Sequence, residues 1–295
     1  MILVVGATGM VGRQVCRLLT AGGKSVRAMV RAASDPAKVD ELKALGVEIV
    51  QGDLRDPESL RAACRGVDAV IATASSMPFN YVPGENTPET TDQAGLLSLI
   101  DAACEAGARQ IVFTSFPAVG ASFPLQDAKR AVENRLRGCG VASTILQPPY
   151  FMEVWLNPAV GFDYANRKAT IYGSGTNPVS WISLLDVAQF AVASLDNPAA
   201  RNVTLELGGP EALSPLEVVA IFEEVGGGKP FEVQSVPVEA LREQLAAASD
   251  PMQASFTGLM IGYASGKAIE MESTLKAFPL KLKSVREYAA EVLAA

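Results

Sequence analysis

The first twelve residues, Met1-Ile2-Leu3-Val4-Val5-Gly6-Ala7-Thr8-Gly9-Met10-Val11-Gly12, constrain this chain more than any other stretch of it. An apolar run of strand length meets glycines at positions 6, 9 and 12, and Val11, Val15, Leu18 and Leu19 then follow at helical spacing. Such a pattern ends a parallel strand at a tight turn that only glycine permits. It then aims the free N–H groups and positive dipole of the next helix at an anion. The ligand that suits this turn is the pyrophosphate of a dinucleotide.

With 295 residues, 49% of them hydrophobic and 19% charged, the chain is long enough for one large α/β core carrying a smaller appendage. Its formal charge is -7 and its Lys and Arg are scattered, which argues against nucleic acid as a partner, because phosphate backbones are held by concentrated basic side chains. No apolar run approaches a membrane span and the first strand follows Met1 directly, so we expect no signal peptide, no membrane association and a cytoplasmic location. Cys16, Cys64, Cys104 and Cys139 include no C-x-x-C pair and read as reduced thiols, with no metal site. Histidine is absent altogether. That removes the Ser-His-Asp triad, the Cys-His pair and imidazole acid–base chemistry, and leaves a cofactor, or Lys, Tyr, Ser, Asp and Glu, to carry any reaction.

The first 150 residues alternate strand and helix. Strands are expected at about 2–5, 25–30, 47–51, 68–72, 110–114 and 142–147, and helices at about 10–21, 36–45, 57–64, 89–106 and 126–138. Such alternation predicts an α/β fold, a doubly wound parallel sheet of Rossmann type. Asp35-Pro36 and Asp56-Pro57 each supply an N-cap acid before a proline, and Ser214-Pro215-Leu216-Glu217 supplies a capping box. After Pro148-Pro149 the rhythm loosens. Residues 1–150 are expected to form the dinucleotide-binding core, with 181–207 returning to it through a helix and a strand. Residues 151–180 and 208–295 are expected to form a small, discontinuous α/β substrate lobe.

At the end of the second strand, where an NAD site usually carries an acid for the ribose 2′-hydroxyl, this chain has Met29-Val30-Arg31. An arginine there suits a 2′-phosphate and favours NADP(H), although an arginine in a loop can also be merely solvated. Asp53-Leu54, after the third strand, is placed to meet adenine, and Asp53 could equally cap a turn.

With the Gly6-Gly9-Gly12 spacing, Arg31, the Gly52-Asp53-Leu54 turn and Thr114-Ser115, the chain resembles the short-chain dehydrogenase/reductase superfamily. More closely it resembles the atypical NmrA-like branch, which includes NADPH-dependent quinone and triphenylmethane reductases, isoflavone-reductase-type enzymes and redox-sensing regulators. The resemblance implies that Gly6, Thr8, Gly9, Met10, Val11 and Gly12 line the pyrophosphate, Arg31 the 2′-phosphate, Asp53 and Leu54 the adenine, and Ala74 the ribose. It implies that Ser115, Pro149, Tyr150 and Phe151 flank the nicotinamide and that Lys129 holds the hydroxyls of its ribose. Lys129 also stands four residues before Glu133, the spacing of an ordinary helical ion pair. One position departs from the superfamily motif. Four residues before Lys129, where a tyrosine acid is usual, stands Leu125.

Without that tyrosine, reduction of a plain ketone lacks a positioned acid, whereas a quinone or enone becomes a delocalised anion that needs little immediate protonation. Ser115, Tyr81 and Tyr150 are the residues that could still donate a proton. Phe79, Tyr81, Phe116, Tyr150, Phe151, Trp155, Phe162 and Trp181 are the candidate walls of a flat, hydrophobic substrate site, about half of them expected to be core packing only, and 75–88 is a candidate lid. The expected function is therefore NADPH-dependent reduction of a small conjugated or carbonyl compound by a monomer or homodimer. A non-catalytic NADP(H) sensor acting through a protein partner is the alternative.

Overall fold

The computed structural model describes residues 1–294 apart from Phe79. In chain order the first half runs β1 (Ile2–Val5), α1 (Met10–Ala21), β2 (Val26–Val30), α2 (Pro36–Ala44), β3 (Glu48–Gln51), α3 (Pro57–Cys64), β4 (Ala69–Ala72), a π-helical segment (Pro88–Gly95), α4 (Leu96–Glu105), β5 (Gln110–Thr114), α5 (Pro124–Arg137) and β6 (Ala142–Gln147). The second half runs β7 (Tyr150–Phe151), α6 (Met152–Trp155), β8 (Phe162–Asp163), β9 (Lys168–Tyr172), β10 (Val179–Ile182), α7 (Leu184–Asp196), β11 (Val203–Glu206), β12 (Ala212–Leu213), α8 (Pro215–Val225), β13 (Glu232–Val236), α9 (Val238–Ala247), α10 (Pro251–Ser265), α11 (Glu272–Ala277) and α12 (Val285–Ala294).

The chain forms two compact units. The core unit comprises Met1–Ser115, Pro124–Gln147 and Val187–Leu205, and the second unit comprises Phe116–Phe123, Pro148–Asp186 and Glu206–Ala295. The second unit also takes in 116–123, 148–150, 181–186 and 206–207, which the sequence reading assigned to the core.

The core unit is built on a seven-stranded sheet in the order β11-β6-β5-β4-β1-β2-β3, with β1 to β6 paired in parallel. All four residues of β1 are buried, which is why its sequence is uninterruptedly apolar and does not alternate. After β3 the chain crosses back to β4 on the other side of β1, so the strand order reverses between β1 and β4. Ligands of open α/β sheets bind at the carboxyl ends of strands flanking such a reversal. The register Val5↔Ala72 sets Gly6 beside Thr73 and Ala74 at that point.

The caps read from the sequence are formed. Asp35 accepts from Ala37 N–H, Asp56 from Glu58 and Ser59 N–H, and Ser214 and Glu217 close their capping box, each cap being worth about 1 kcal/mol. The expected helix at 89–106 is instead a π-helical segment of eight residues running into α4. Periodicity cannot detect that change of pitch. At Gly95, the last residue of that segment, a Cβ would lie 2.6 Å from Leu54 Cβ, so the segment's end and the strand-end loop approach closely.

In the second unit two three-stranded sheets, β12-β10-β7 and β13-β9-β8, pack with helices around Tyr150, Trp155, Trp181, Phe222 and Tyr263. β7, β8 and β12 have two residues each, too few for any alternation to register, and they escape a sequence reading. The four cysteines are free, and burial pushes the Cys16 thiol up to about 12. Among the described residues no helix is long and apolar enough to cross a membrane.

Candidate active site

Gly6 has φ +86°, and a Cβ there would lie 2.7 Å from Ala74 N, so only glycine fits. A Cβ on Gly12 would lie 2.1 Å from Gly6 O, which brings α1 hard against the turn. Gly9 N–H donates to Gly6 O at 2.9 Å and closes the loop. At the start of α1 there is no side-chain cap and no acid in the first turn, so the first-turn N–H groups near Met10, Val11 and Gly12 keep their donors and their positive field for a ligand. Thr8 is half-buried, and Gly9 and Met10 are exposed. This is a cradle that fits a pyrophosphate. One further donor was not anticipated: Arg13 Nε, one turn on, is buried with no hydrogen-bond partner while its Nη1 holds Glu41 at 3.1 Å.

Arg31 follows β2, its N–H tied to Ser34 Oγ at 3.0 Å. Asp53 accepts from the Arg55 N–H at 2.9 Å and from its guanidinium at 2.8 and 3.0 Å, so it does organise its own turn. Arg55, and to a smaller degree Arg31, hold the Asp53 carboxyl below its usual range. Leu54 beside it is buried.

At the carboxyl ends of β4, β5 and β6 the core unit holds two buried carboxylates. Glu133, 1% exposed, accepts from Ser115 Oγ at 2.6 Å and Gln147 Nε2 at 2.8 Å, with Arg130 at 3.1 Å and Arg137 at 3.2 Å as ion-pair partners. Arg130 Nη2 also donates to Ser115 Oγ at 3.1 Å. Asp92, fully buried, takes Lys129: Nζ to Oδ1 is 3.1 Å. The helical spacing Lys129–Glu133 therefore does not mark an ion pair, because Lys129 points to the π-helical segment and the arginines take Glu133. The pairings Asp92–Lys129 and Glu133–Gln147 were invisible in the sequence, since each is brought together by two different elements.

The Tyr150 hydroxyl donates to Leu259 O at 3.2 Å, and burial raises its pKa far above the ordinary tyrosine value. Leu125 is buried in the first turn of α5, and Tyr81 is half-buried. The second unit encloses a cavity of about 110 Å³ whose lining includes Phe116, Val119, Pro149, Tyr150, Leu259 and Gly262. Three residues picked from the sequence, Phe116, Pro149 and Tyr150, thus share one cavity. Trp155 and Trp181 do not line it: Trp155 stacks on Tyr263, and Trp181, 1% exposed, donates from Nε1 to Leu213 O as core. Phe151 is half-buried, and Phe79 lies outside the described residues. Gly262 was missed. A Cβ there would lie 2.4 Å from Val119 Cγ1 and 2.7 Å from the Tyr150 hydroxyl, and the four-residue spacing of Gly258 and Gly262 on α10 with Gly266 just past its end was the available signal.

The model of the NmrA-like family matches residues 1–289. The chain belongs to the NmrA-like family. Within it, the chain is 34% identical over 255 residues to an NAD(P)H azoreductase of Xenophilus azovorans, covering 85% of this chain and 82% of that one. It is 30% identical over 243 residues to a photosystem II assembly factor of Synechocystis, covering 82% and 72%. Among solved structures, an NADPH-dependent quinone oxidoreductase of Escherichia coli, crystallised with NADPH, superposes with a TM-score of 0.78 over 99% of both chains at 22% identity. At that identity the likeness concerns the NmrA-like fold.

Proposed function

We propose that this NmrA-like protein is an NADPH-dependent reductase of small, flat, conjugated acceptors such as quinones and enones. The chain is an NAD(P)H-dependent oxidoreductase, a reading supported by its azoreductase relative and by the glycine cradle. The bound dinucleotide supplies the hydride. The cradle Gly6–Gly12 holds the pyrophosphate, Arg31 the 2′-phosphate, Asp53 and Leu54 the adenine, Ala74 the ribose, and Lys129 the hydroxyls of the nicotinamide ribose. The cavity lined by Phe116, Pro149 and Tyr150 receives the acceptor, and its mainly apolar walls, with Ser265 and Lys267 among them, favour an aromatic or conjugated molecule over a sugar.

The observation that carries the choice of acceptor is the state of the hydroxyl groups. Ser115 directs its hydroxyl hydrogen bond to Glu133, Tyr150 donates to the Leu259 carbonyl and holds its proton tightly, and Leu125 stands at the acid's usual place. An acceptor whose reduced anion is already delocalised needs none of them at the moment of hydride arrival. The test is kcat/KM with NADPH for a quinone, an enone and a simple aryl ketone. The quinone is expected to lead the ketone by about 100-fold, the lower end of what a positioned acid contributes. An aryl ketone as best substrate overturns the proposal and points to Tyr81 as the acid.

The assembly-factor relative favours one other reading, a non-catalytic NADP(H) sensor acting through a protein partner. Tight NADPH binding with no steady oxidation across the same acceptors is its signature.

A further inference from the structure

Asp92 sits in the π-helical segment that precedes α4, a rare helical form that recurs at functional sites. Its two carboxylate oxygens do different things. Oδ2 accepts twice from one residue, from the Ser76 N–H at 2.9 Å and the Ser76 hydroxyl at 2.6 Å. Oδ1 accepts no hydrogen bond of good geometry and faces the Lys129 ammonium at 3.1 Å. The ammonium also lies 5.0 Å from the centroid of the Phe113 ring. Lys129 is 4% exposed, Asp92 and Ser76 not at all.

An ammonium carries three donors. Among the described residues Lys129 meets one carboxylate oxygen and one ring face. Its Nζ, unlike Asp92 Oδ1, is not among the fully buried atoms without a partner, so its spare donors lie on the small part of the side chain that remains accessible. A purely structural buried ion pair is expected to satisfy its donors within the protein, because an unfilled buried donor is costly. A pair that leaves donors over is built to meet something else. Vicinal hydroxyls, two neutral oxygens close together, are the matching acceptors.

We infer that Asp92, braced by Ser76, is the positioning residue of the Lys129 ammonium, and that it holds the remaining N–H groups toward the diol of the nicotinamide ribose. The inference rests on the reading of Lys129 as the ribose lysine and adds to it a residue that touches neither cofactor nor substrate. The bidentate grip of Ser76 fixes the carboxylate, the carboxylate fixes the ammonium, and Phe113 floors it.

The experiment measures dissociation constants of NADPH and of 2′,5′-ADP for the wild type, Asp92→Asn, Lys129→Met and the double variant. The fragment 2′,5′-ADP has the adenosine half with its 2′-phosphate and lacks the nicotinamide ribose. Each single variant is expected to weaken NADPH about tenfold, the effect of losing one charge-assisted contact, and to leave 2′,5′-ADP unchanged. The double variant is expected to bind NADPH no worse than the weaker single, since both act through one contact. If Lys129→Met binds NADPH like the wild type, the lysine reading itself fails and the inference falls with it. If Lys129→Met weakens NADPH and Asp92→Asn does not, the lysine reading stands and the inference alone is overturned. Equal loss of both ligands in Asp92→Asn shows a structural role only and also overturns it. Should Asp92→Asn not fold, Ser76→Ala takes its place, with a loss of about threefold for NADPH alone expected and wild-type affinity overturning the inference.

Discussion

The Ser115 hydroxyl donates to the Glu133 carboxylate across 2.6 Å, with both groups buried. Ser115 also accepts from Arg130, so its proton direction is set from both sides. Ser115→Ala is therefore expected to keep quinone reduction within about fivefold of wild type, where loss of a true acid removes about 100-fold or more. Glu133→Ala leaves the buried Ser115 and Gln147 donors without their acceptor, and should lower stability by about 3 kcal/mol in urea unfolding. A large kcat loss in Ser115→Ala with no loss of stability would show that the hydroxyl turns to the substrate.

Arg31 supplies the charge for cofactor choice. The wild type should bind NADPH more tightly than NADH, and Arg31→Ala should remove most of that difference, about 1.5–3 kcal/mol for a charge-assisted contact. Titration of both cofactors measures it, and equal wild-type affinities rule out the 2′-phosphate role.

Gly9 and Gly12 separate binding from folding. Gly9 has φ -75°, which any residue adopts, while a Cβ there would stand 3.1 Å from Gly6 O, so the turn must give by a few tenths of an ångström to admit a side chain. Gly9→Val should abolish NADPH binding at a stability cost of about 1–2 kcal/mol, the scale of an N-cap substitution, with the protein still folded. Gly12→Ala meets Gly6 O at 2.1 Å and should lose about 2–3 kcal/mol as the turn is forced open. Wild-type NADPH affinity in Gly9→Val would put the phosphate cradle elsewhere.

Asp186 makes the second unit sensitive to pH. Burial, with the Glu153 charge adding to it, raises the Asp186 carboxyl from 3.8 to about 6, against the opposing pull of the Lys283 N–H. Because the folded state holds that proton more tightly than the unfolded state, the stabilisation from this group is full below pH 4 and is lost as pH rises through 6. The loss amounts to about 3 kcal/mol, since each tenfold difference in proton affinity between folded and unfolded chain is worth about 1.4 kcal/mol. Asp186→Asn should thus be more stable than wild type at pH 7.5, with the advantage shrinking to nothing near pH 4. A constant difference between the two across pH 4–8 would refute the assignment.

What the sequence determined by itself is whatever rests on local spacing. The glycines at 6, 9 and 12 demand one strand–turn–helix, Asp35 and Asp56 announce their helices, and the alternation through residue 147 yields the parallel sheet, because these signals lie within one or two turns of chain. Tertiary structure alone decided the partners of the charges. Lys129 and Glu133 face each other on a helical net, yet Lys129 goes to Asp92, 37 positions away in sequence, and Glu133 to Ser115 and Gln147, because packing of strands and helices sets which buried charge meets which. The same reason separates Phe116 and Tyr150, which line a cavity, from Trp181, which fills a core: aromatic residues carry no local mark of which they will do. The π-helical pitch at Pro88–Gly95, the segment that carries Asp92, likewise left no mark in the periodicity of the sequence.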